Sequence, residues 1–237
     1  MAILLESEAR VVSTGNNEVD KKLGGGIPVG SLVLVEGQSD SGKSVVSQHF
    51  AHGALNNKLA TVYYTTENTV KSLISQMNSL DLDVTDYFLC DRLRIYPVLC
   101  DEDTDSARAF GLLLAHFRTL PVTTKLIIVD SLTGMVSHGD ERSVIDFFSA
   151  CKQLCDHGKT IICVVHSYAF DERMLIRIRS LCDAHLTLRM EQVGDRLVKM
   201  LEVGKVRNAD QSTGNVISFD VEPGLGMRII PSSRAKA

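Results

Sequence analysis

Gly37-Gln38-Ser39-Asp40-Ser41-Gly42-Lys43-Ser44 satisfies the pattern GxxxxGK[ST] in full, and the reading of the fold starts there. At average glycine usage, a chance match in a chain of this length arises on the order of one time in a hundred. Each residue type has a physical task. Gly37 and Gly42 let the backbone curl until several N–H groups face one phosphate, and the following helix adds its positive end. Lys43 supplies a charge-assisted donor to the outer phosphates, and Ser44 offers a hydroxyl to Mg²⁺. Gln38, Ser39, Asp40 and Ser41 form the loop between the glycines, and Val45 continues it into the helix, so 37–45 is the expected ATP-binding segment. An ordinary glycine-rich turn between a strand and a helix has no need of Lys-Ser at this offset.

The flanks agree with this assignment. Ser31–Val35 is an apolar, β-branched run that reads as a buried strand, and Lys43–Asn56 reads as a helix with Val46, Phe50 and Ala54 on one face. Strands are expected at Ala60–Tyr64, Leu93–Tyr96, Lys125–Val129 and Thr160–Val165. Helices are expected at Val70–Leu80, Ser106–Thr119 and Arg142–His157. This alternation predicts an α/β fold with a mostly parallel central sheet flanked by helices. The last runs, His185–Arg189, Leu197–Val206, Asn215–Val221 and Met227–Ile230, alternate between Gly/Asp/Asn/Ser turns and predict C-terminal antiparallel strands. A single domain over 1–230 with a loose tail at 231–237 is expected, since no linker or repeat divides the chain.

Composition narrows the function classes. The chain has 237 residues, 44% hydrophobic and 23% charged, as a soluble globular protein does. Its 25 Lys+Arg against 29 Asp+Glu give a net charge of −4, so no global basic field draws nucleic acid. The apolar runs have strand length, and Glu6 arrives too early for a signal peptide, so a cytoplasmic protein without membrane insertion is expected. The six cysteines (Cys90, Cys100, Cys151, Cys155, Cys163, Cys182) form no CxxC. Cys151 and Cys155 share a helical face, and core packing explains them more simply than zinc ligation with His157. Asp101, Glu102, Asp103 and Asp105 precede a helix, where capping and the helix dipole explain carboxylates better than a metal does.

Two further acids fit nucleotide chemistry. Asp130 closes the strand ending at Val129, at the carboxyl edge of the sheet where ligands bind, and is the expected magnesium-associated acid together with Ser44. Glu67 follows the strand ending at Tyr64. From spacing alone it serves equally as a group that orients water or as helix-start capping chemistry in Thr66-Glu67-Asn68.

The lead-in Thr14-Gly-Asn-Asn-Glu-Val-Asp-Lys-Lys-Leu-Gly-Gly-Gly-Ile-Pro-Val-Gly30 resembles the entry to a RecA/KaiC-type ATPase domain. With Tyr63-Tyr-Thr-Thr-Glu-Asn-Thr69 and Ile127-Ile-Val-Asp-Ser-Leu-Thr133 it most resembles the FlaH (ArlH) family, KaiC-like ATP-binding components of the archaellum. The resemblance spans about Val12 to Ile230 and implies a RecA-like P-loop core. It assigns Glu67 as the catalytic glutamate. It also likens Lys205-Val206-Arg207 to an element that reaches the γ-phosphate of the adjacent subunit in a hexameric ring. His166-Ser167 falls where the family carries a γ-phosphate-sensing residue. Where KaiC has paired glutamates, Asn68 follows Glu67, which implies slow or absent hydrolysis. The family further implies an ATP-promoted homo-oligomer acting beside the motor ATPase FlaI, peripheral to the cytoplasmic membrane at the archaellum base. The competing reading is a RecA-type DNA-dependent ATPase, whose support is the arginine-rich Glu172–Arg179 segment. Leu175, Ile178 and Cys182 recur there at helical spacing, which instead predicts an amphipathic helix with Arg173 and Arg177 on its wet side and Arg179 nearer the apolar edge.

Overall fold

The computed structural model describes residues 9–99, 105–193, 196–211, 213 and 216–230. A short hairpin of β1 (Val11–Val12) and β2 (Ile27–Pro28) encloses α1 (Asn17–Lys22), and β3 (Leu32–Gly37) leads into α2 (Lys43–Asn56). Then come β4 (Ala60–Thr65), α3 (Val70–Ser79), α4 (Thr85–Leu89), β5 (Leu93–Pro97), α5 (Ser106–Thr119) and β6 (Thr124–Asp130). The second half holds α6 (Thr133–Ser137), α7 (Glu141–Asp156), β7 (Thr160–His166), α8 (Glu172–Leu181), β8 (Ala184–Val193), β9 (Arg196–Val206), β10 (Val216–Glu222) and β11 (Gly226–Ile230).

One nine-stranded sheet runs in the order β11-β10-β9-β8-β3-β7-β6-β4-β5. From β5 to β8 every pairing is parallel, and from β8 outward every pairing is antiparallel. This corrects one expectation. The run His185–Arg189 is not simply part of the antiparallel extension: β8 lies parallel to β3, with Val33 level with Ala184, and antiparallel only to β9. Alternation along a strand reports which face is buried, whereas its direction is set by the neighbour it docks against, so the pattern held no sign of this. The expected acids Asp101, Glu102 and Asp103, together with Cys100, Asn215 and the tail at 231–237, lie outside the described residues. Asp105 accepts from the Arg108 amide at 3.1 Å and caps α5, the capping role expected of its cluster.

The sheet separates two apolar clusters, and β3 feeds both. Val33 and Val35 pack with Val46 and Phe50 of α2 and with Leu73 and Met77 of α3. Leu32 and Leu34 pack with Phe110 and Phe117 of α5, Phe147 and Phe148 of α7, and Ile178 of α8. A strand buried on both faces explains the uninterrupted apolar run. Among the described residues no helix is long and apolar enough to cross a membrane.

The lead-in clamps the far end of α2. The Asp20 carboxylate accepts from the Thr14 amide at 2.8 Å and the Thr14 hydroxyl at 2.7 Å, and the Asn16 side chain caps α1 while donating to the Met227 carbonyl at 3.0 Å. This holds the 13–15 backbone against Gly53, where a Cβ would lie 2.3 Å from the Ser13 carbonyl oxygen and 2.4 Å from the Gly15 nitrogen. Replacing a helical glycine by alanine ordinarily stabilises by about 1 kcal/mol. Here the contact is backbone on both sides, so Gly53→Ala is expected to destabilise by about 1–3 kcal/mol. Urea unfolding checks the sign, and a more stable variant contradicts this packing.

Candidate functional site

The carboxyl ends of four parallel strands meet at the P-loop. Gly37 ends β3 level with His166 of β7, Asp130 ends β6 level with Val164, and Thr65 ends β4 level with Asp130. The loop 37–44 needs both of its glycines. A Cβ on Gly37 would stand 2.2 Å from the Leu188 carbonyl oxygen of β8, and Gly42 adopts φ +93° over the Phe219 ring. Asp40 is also left-handed, at φ 57°, a conformation aspartate tolerates better than most residues. Gln38, Ser39 and Asp40 are exposed, while Ser41 is buried and its hydroxyl donates to the Gln38 carbonyl at 2.7 Å.

Gly42 is the N-cap of α2, with no side-chain cap and no acid in the first turn. The helix amides and its positive end are therefore left for an anion, at the helix start formed by Lys43, Ser44 and Val45. Lys43 is buried, and its ammonium donates to the Gln38 carbonyl at 2.6 Å and lies 3.4 Å from His166 Nδ1. Burial pulls the Lys43 pKa down, and the charges of Asp130, Glu67 and Asp40 oppose that pull. His166 also reaches Ser39 Oγ at 3.4 Å, so it closes over the loop. Burial and the Lys43 charge lower its pKa.

Asp130 lies beneath the loop, 6% exposed. Its Oδ1 accepts from Ser44 Oγ at 3.3 Å, and its Oδ2 from Tyr63 OH at 2.7 Å and Ser47 Oγ at 3.1 Å. Ser47 and Tyr63 are themselves 2.8 Å apart. Burial raises the Asp130 pKa more than these hydroxyls and Lys43 lower it. The structure thus brings together Ser44 and Asp130, both expected from the sequence, and adds Ser47 and Tyr63, for which the available signal was Ser44-x-x-Ser47 placing two hydroxyls on one helix face. Glu67 sits exposed at the lip. Desolvation and then the Asp130 charge push its carboxyl up, and Lys43 pulls it back, so all three groups share one field.

Lys205 and Arg207 are elsewhere. Val206 stands level with Ala184 and Gly37 with Leu188, so the pair lies at the opposite edge of the sheet, about 13 Å down the strands at 3.3 Å per residue. There Lys205 donates to the Arg179 carbonyl at 2.7 Å, and Arg207 lies 3.7 Å from Asp183 and 3.3 Å from the Ser180 carbonyl. The arginine-rich segment is helix α8, with Met174 and Ile178 buried. Arg177 pairs with Glu141, and Arg179 pairs with the buried Glu36. Glu36 was not singled out from the sequence. Cys151 and Cys155 are core thiols, burial drives the Cys155 pKa upward, and His157 turns away to the Gln153 carbonyl at 2.7 Å. Among the described residues no group of three His, Cys, Asp or Glu is arranged to hold a metal on its own.

A family model described as "ATPase: KaiC" matches residues 12–234. The archaeal flagellar ATP-binding protein FlaH of Sulfolobus acidocaldarius is 32% identical over 232 residues, covering 96% of this chain and 100% of the relative. The crystal structure of flagellar accessory protein FlaH from Methanocaldococcus jannaschii superposes with a TM-score of 0.83 at 28% identity, covering 94% of this chain and 100% of that one. A KaiC-like protein from Pyrococcus horikoshii OT3 shares the fold, with a TM-score of 0.75 at 20% identity and coverage of 94% and 99%.

The raised Asp130 pKa carries a sign. A carboxyl whose folded value exceeds its unfolded one opposes folding once ionised, so the penalty is present above the folded pKa and vanishes below the unfolded value near 3.9. Asn keeps the shape and still accepts from Tyr63 and Ser47. In nucleotide-free buffer with chelator, Asp130→Asn is therefore expected to raise the urea midpoint at pH 7, with the gain fading towards pH 4. A lower midpoint at pH 7 contradicts this balance of burial over hydrogen bonding.

Proposed function

The chain belongs to the KaiC family of ATPases and, within it, to the FlaH proteins, and on that premise we propose that it is the ATP-binding component of an archaellum whose bound nucleotide gates assembly of its own copies. The archaellum-associated ATP-binding role is supported by the flagellar relatives matched over nearly their whole length and by the P-loop built above Asp130. The gating role is carried by one observation, the placement of Lys205 and Arg207 at the opposite sheet edge from the P-loop of their own chain.

In this reading residues 37–45 hold the phosphates, Lys43 neutralises the outer ones and His166 lies beside them. The donor set of Ser44 and Asp130 is all oxygen, which fits a hard cation such as Mg²⁺. When bound, Mg²⁺ offsets phosphate charge and fixes the phosphate geometry. Glu67 orients water at the lip. Asn68 follows it in place of a second carboxylate, and its side-chain Oδ1 accepts from Ser72 Oγ at 2.9 Å, so hydrolysis is slow and occupancy is the signal. Arg207 and Lys205 of one copy reach the γ-phosphate of the next, around a hexameric ring. A ligand shifts assembly only by its differential affinity for the assembled state, and these two cations supply that difference. The partner assigned is the motor ATPase FlaI, at the cytoplasmic face of the membrane. The DNA-dependent reading has the weaker support, because its arginine-rich segment is an amphipathic helix that buries Met174 and Ile178 and pairs Arg177 with Glu141.

Two substitutions test the division of roles. Lys43→Ala removes a charged hydrogen bond to phosphate worth about 1.5–3 kcal/mol, so titration with a fluorescent ATP analogue is expected to show roughly ten- to hundredfold weaker binding. Unchanged affinity would place the nucleotide elsewhere. Arg207→Ala is expected to bind the same analogue normally as a monomer at low protein concentration, yet to lose ATP-promoted assembly in light scattering. Assembly equal to wild type removes the trans role, and a loss of monomer affinity assigns Arg207 to its own site.

A further inference from the structure

Glu36 immediately precedes the P-loop glycine and is 1% exposed, in the middle of the sheet. Its Oε1 receives three donors: the Arg179 guanidinium, His185 Nε2 at 2.8 Å and Thr187 Oγ1 at 3.4 Å. Its Oε2 is buried without a hydrogen-bond partner, and so is Nε of Arg179. Arginine and carboxylate normally meet as a two-pronged fork. Here they meet through one prong, and a donor and an acceptor that would complete the fork stand idle. The Arg179 side chain is 40% exposed on its other side, where it lines a cleft of about 350 Å³ with Ile176, Ser180, His185, Lys205 and Arg207. Lys205 is tied to Arg179 through the Arg179 carbonyl at 2.7 Å. One guanidinium therefore faces a buried carboxylate at the root of the P-loop and a cleft carrying two other cations.

We infer that Arg179 is a positioning residue that divides itself between Glu36 and a phosphate held in this cleft, and so couples the cleft to the P-loop of the same chain. The inference rests on the reading that the cleft receives the nucleotide phosphate of a neighbouring copy. A phosphate beside Lys205 and Arg207 competes with Glu36 for the guanidinium. As Arg179 shifts outward, Glu36 is left to His185 and Thr187, and the strand end that carries Gly37 responds. Coupling of this kind is reciprocal, so nucleotide in the P-loop also changes the cleft's hold on phosphate. Around a closed set of copies this makes ATP binding cooperative.

The test is the concentration of full-length protein at half-assembly in Mg²⁺·ATP, read by light scattering, with the Hill coefficient for ATP measured on the same samples. Glu36→Gln frees Arg179 and is expected to lower the midpoint by about three- to tenfold, and Arg179→Gln to raise it by a similar factor. Both are expected to bring the Hill coefficient towards one. The double variant Glu36→Gln/Arg179→Gln is expected to match Arg179→Gln alone, because Glu36 acts only through Arg179. Thermal melting verifies folding. Should Arg179→Gln fail to fold with Glu36 stranded, the other two variants still decide, since neither strands that carboxylate. Shifts of both single variants in one direction, or a Glu36→Gln gain that survives loss of Arg179, overturn the inference. If wild type assembles, Arg207→Ala does not, and Arg179→Gln matches wild type, the coupling is wrong while the ring reading stands. If wild type does not assemble with ATP, both fall.

Discussion

The buried carboxylate of Asp130 is the interaction on which the site depends. It ends β6 under the P-loop and gathers hydroxyls from two other elements, Ser44 and Ser47 of α2 and Tyr63 of β4. Burying an ionised carboxylate is costly unless its oxygens are met by donors, and here the donors themselves fix the angle at which α2 leaves the sheet. The uncapped start of α2 is thus held directly over this acid. The same burial leaves Asp130 harder to ionise than an exposed aspartate, a cost that the proposed cation at Ser44 and Asp130 would relieve. Stability of the empty site is traded for readiness to bind.

A second consequence follows from the sheet. Parallel strands put every βα loop on one edge, so the P-loop, Asp130, Glu67 and His166 converge without long-range design. The antiparallel extension reverses that logic. Because β9 runs against β8, its last residues, Lys205 and Val206, and Arg207 just beyond them are delivered to the opposite edge, beside α8. On the proposed function, such a chain would offer half a phosphate site on each edge. Stacking copies edge to edge would then complete both halves, and a nucleotide between them would strengthen assembly by the amount it prefers the assembled state.

The parts of this that were legible in the sequence were those with a period or a fixed spacing. GxxxxGK[ST] located the phosphate loop, and the uninterrupted apolar runs that became β3, β6 and β7 identified the central strands, because burial on both faces leaves no room for alternation. Asp130 was legible because it ends such a run. The parallel direction of β8 was not, since it depends on docking beside β3. Nor were β1 and β2, at two residues each, since so short a strand has no period to read. Ser47 and Tyr63 were hidden because a hydroxyl in a buried element looks like ordinary composition until its partner is in place. Glu36 follows the apolar run Ser31–Val35 without a mark of its own, and only its contacts with His185 and Arg179 separate it from a turn residue. Arg179 showed itself only as the arginine that helical periodicity explained least.

The central claim is that one nucleotide site is completed by two copies of the chain, and mixing two crippled chains tests it most directly. Lys43→Ala has an impaired P-loop with its cleft intact, and Arg207→Ala has an intact P-loop with its cleft impaired. Sedimentation of each alone with Mg²⁺·ATP, then of an equimolar mixture, separates the halves. Neither is expected to associate alone, and the mixture is expected to form one-to-one dimers that go no further, because joining the two whole edges leaves only the impaired P-loop of Lys43→Ala and the impaired cleft of Arg207→Ala free. A mixture that stays monomeric in ATP, at a concentration where wild type assembles, contradicts it.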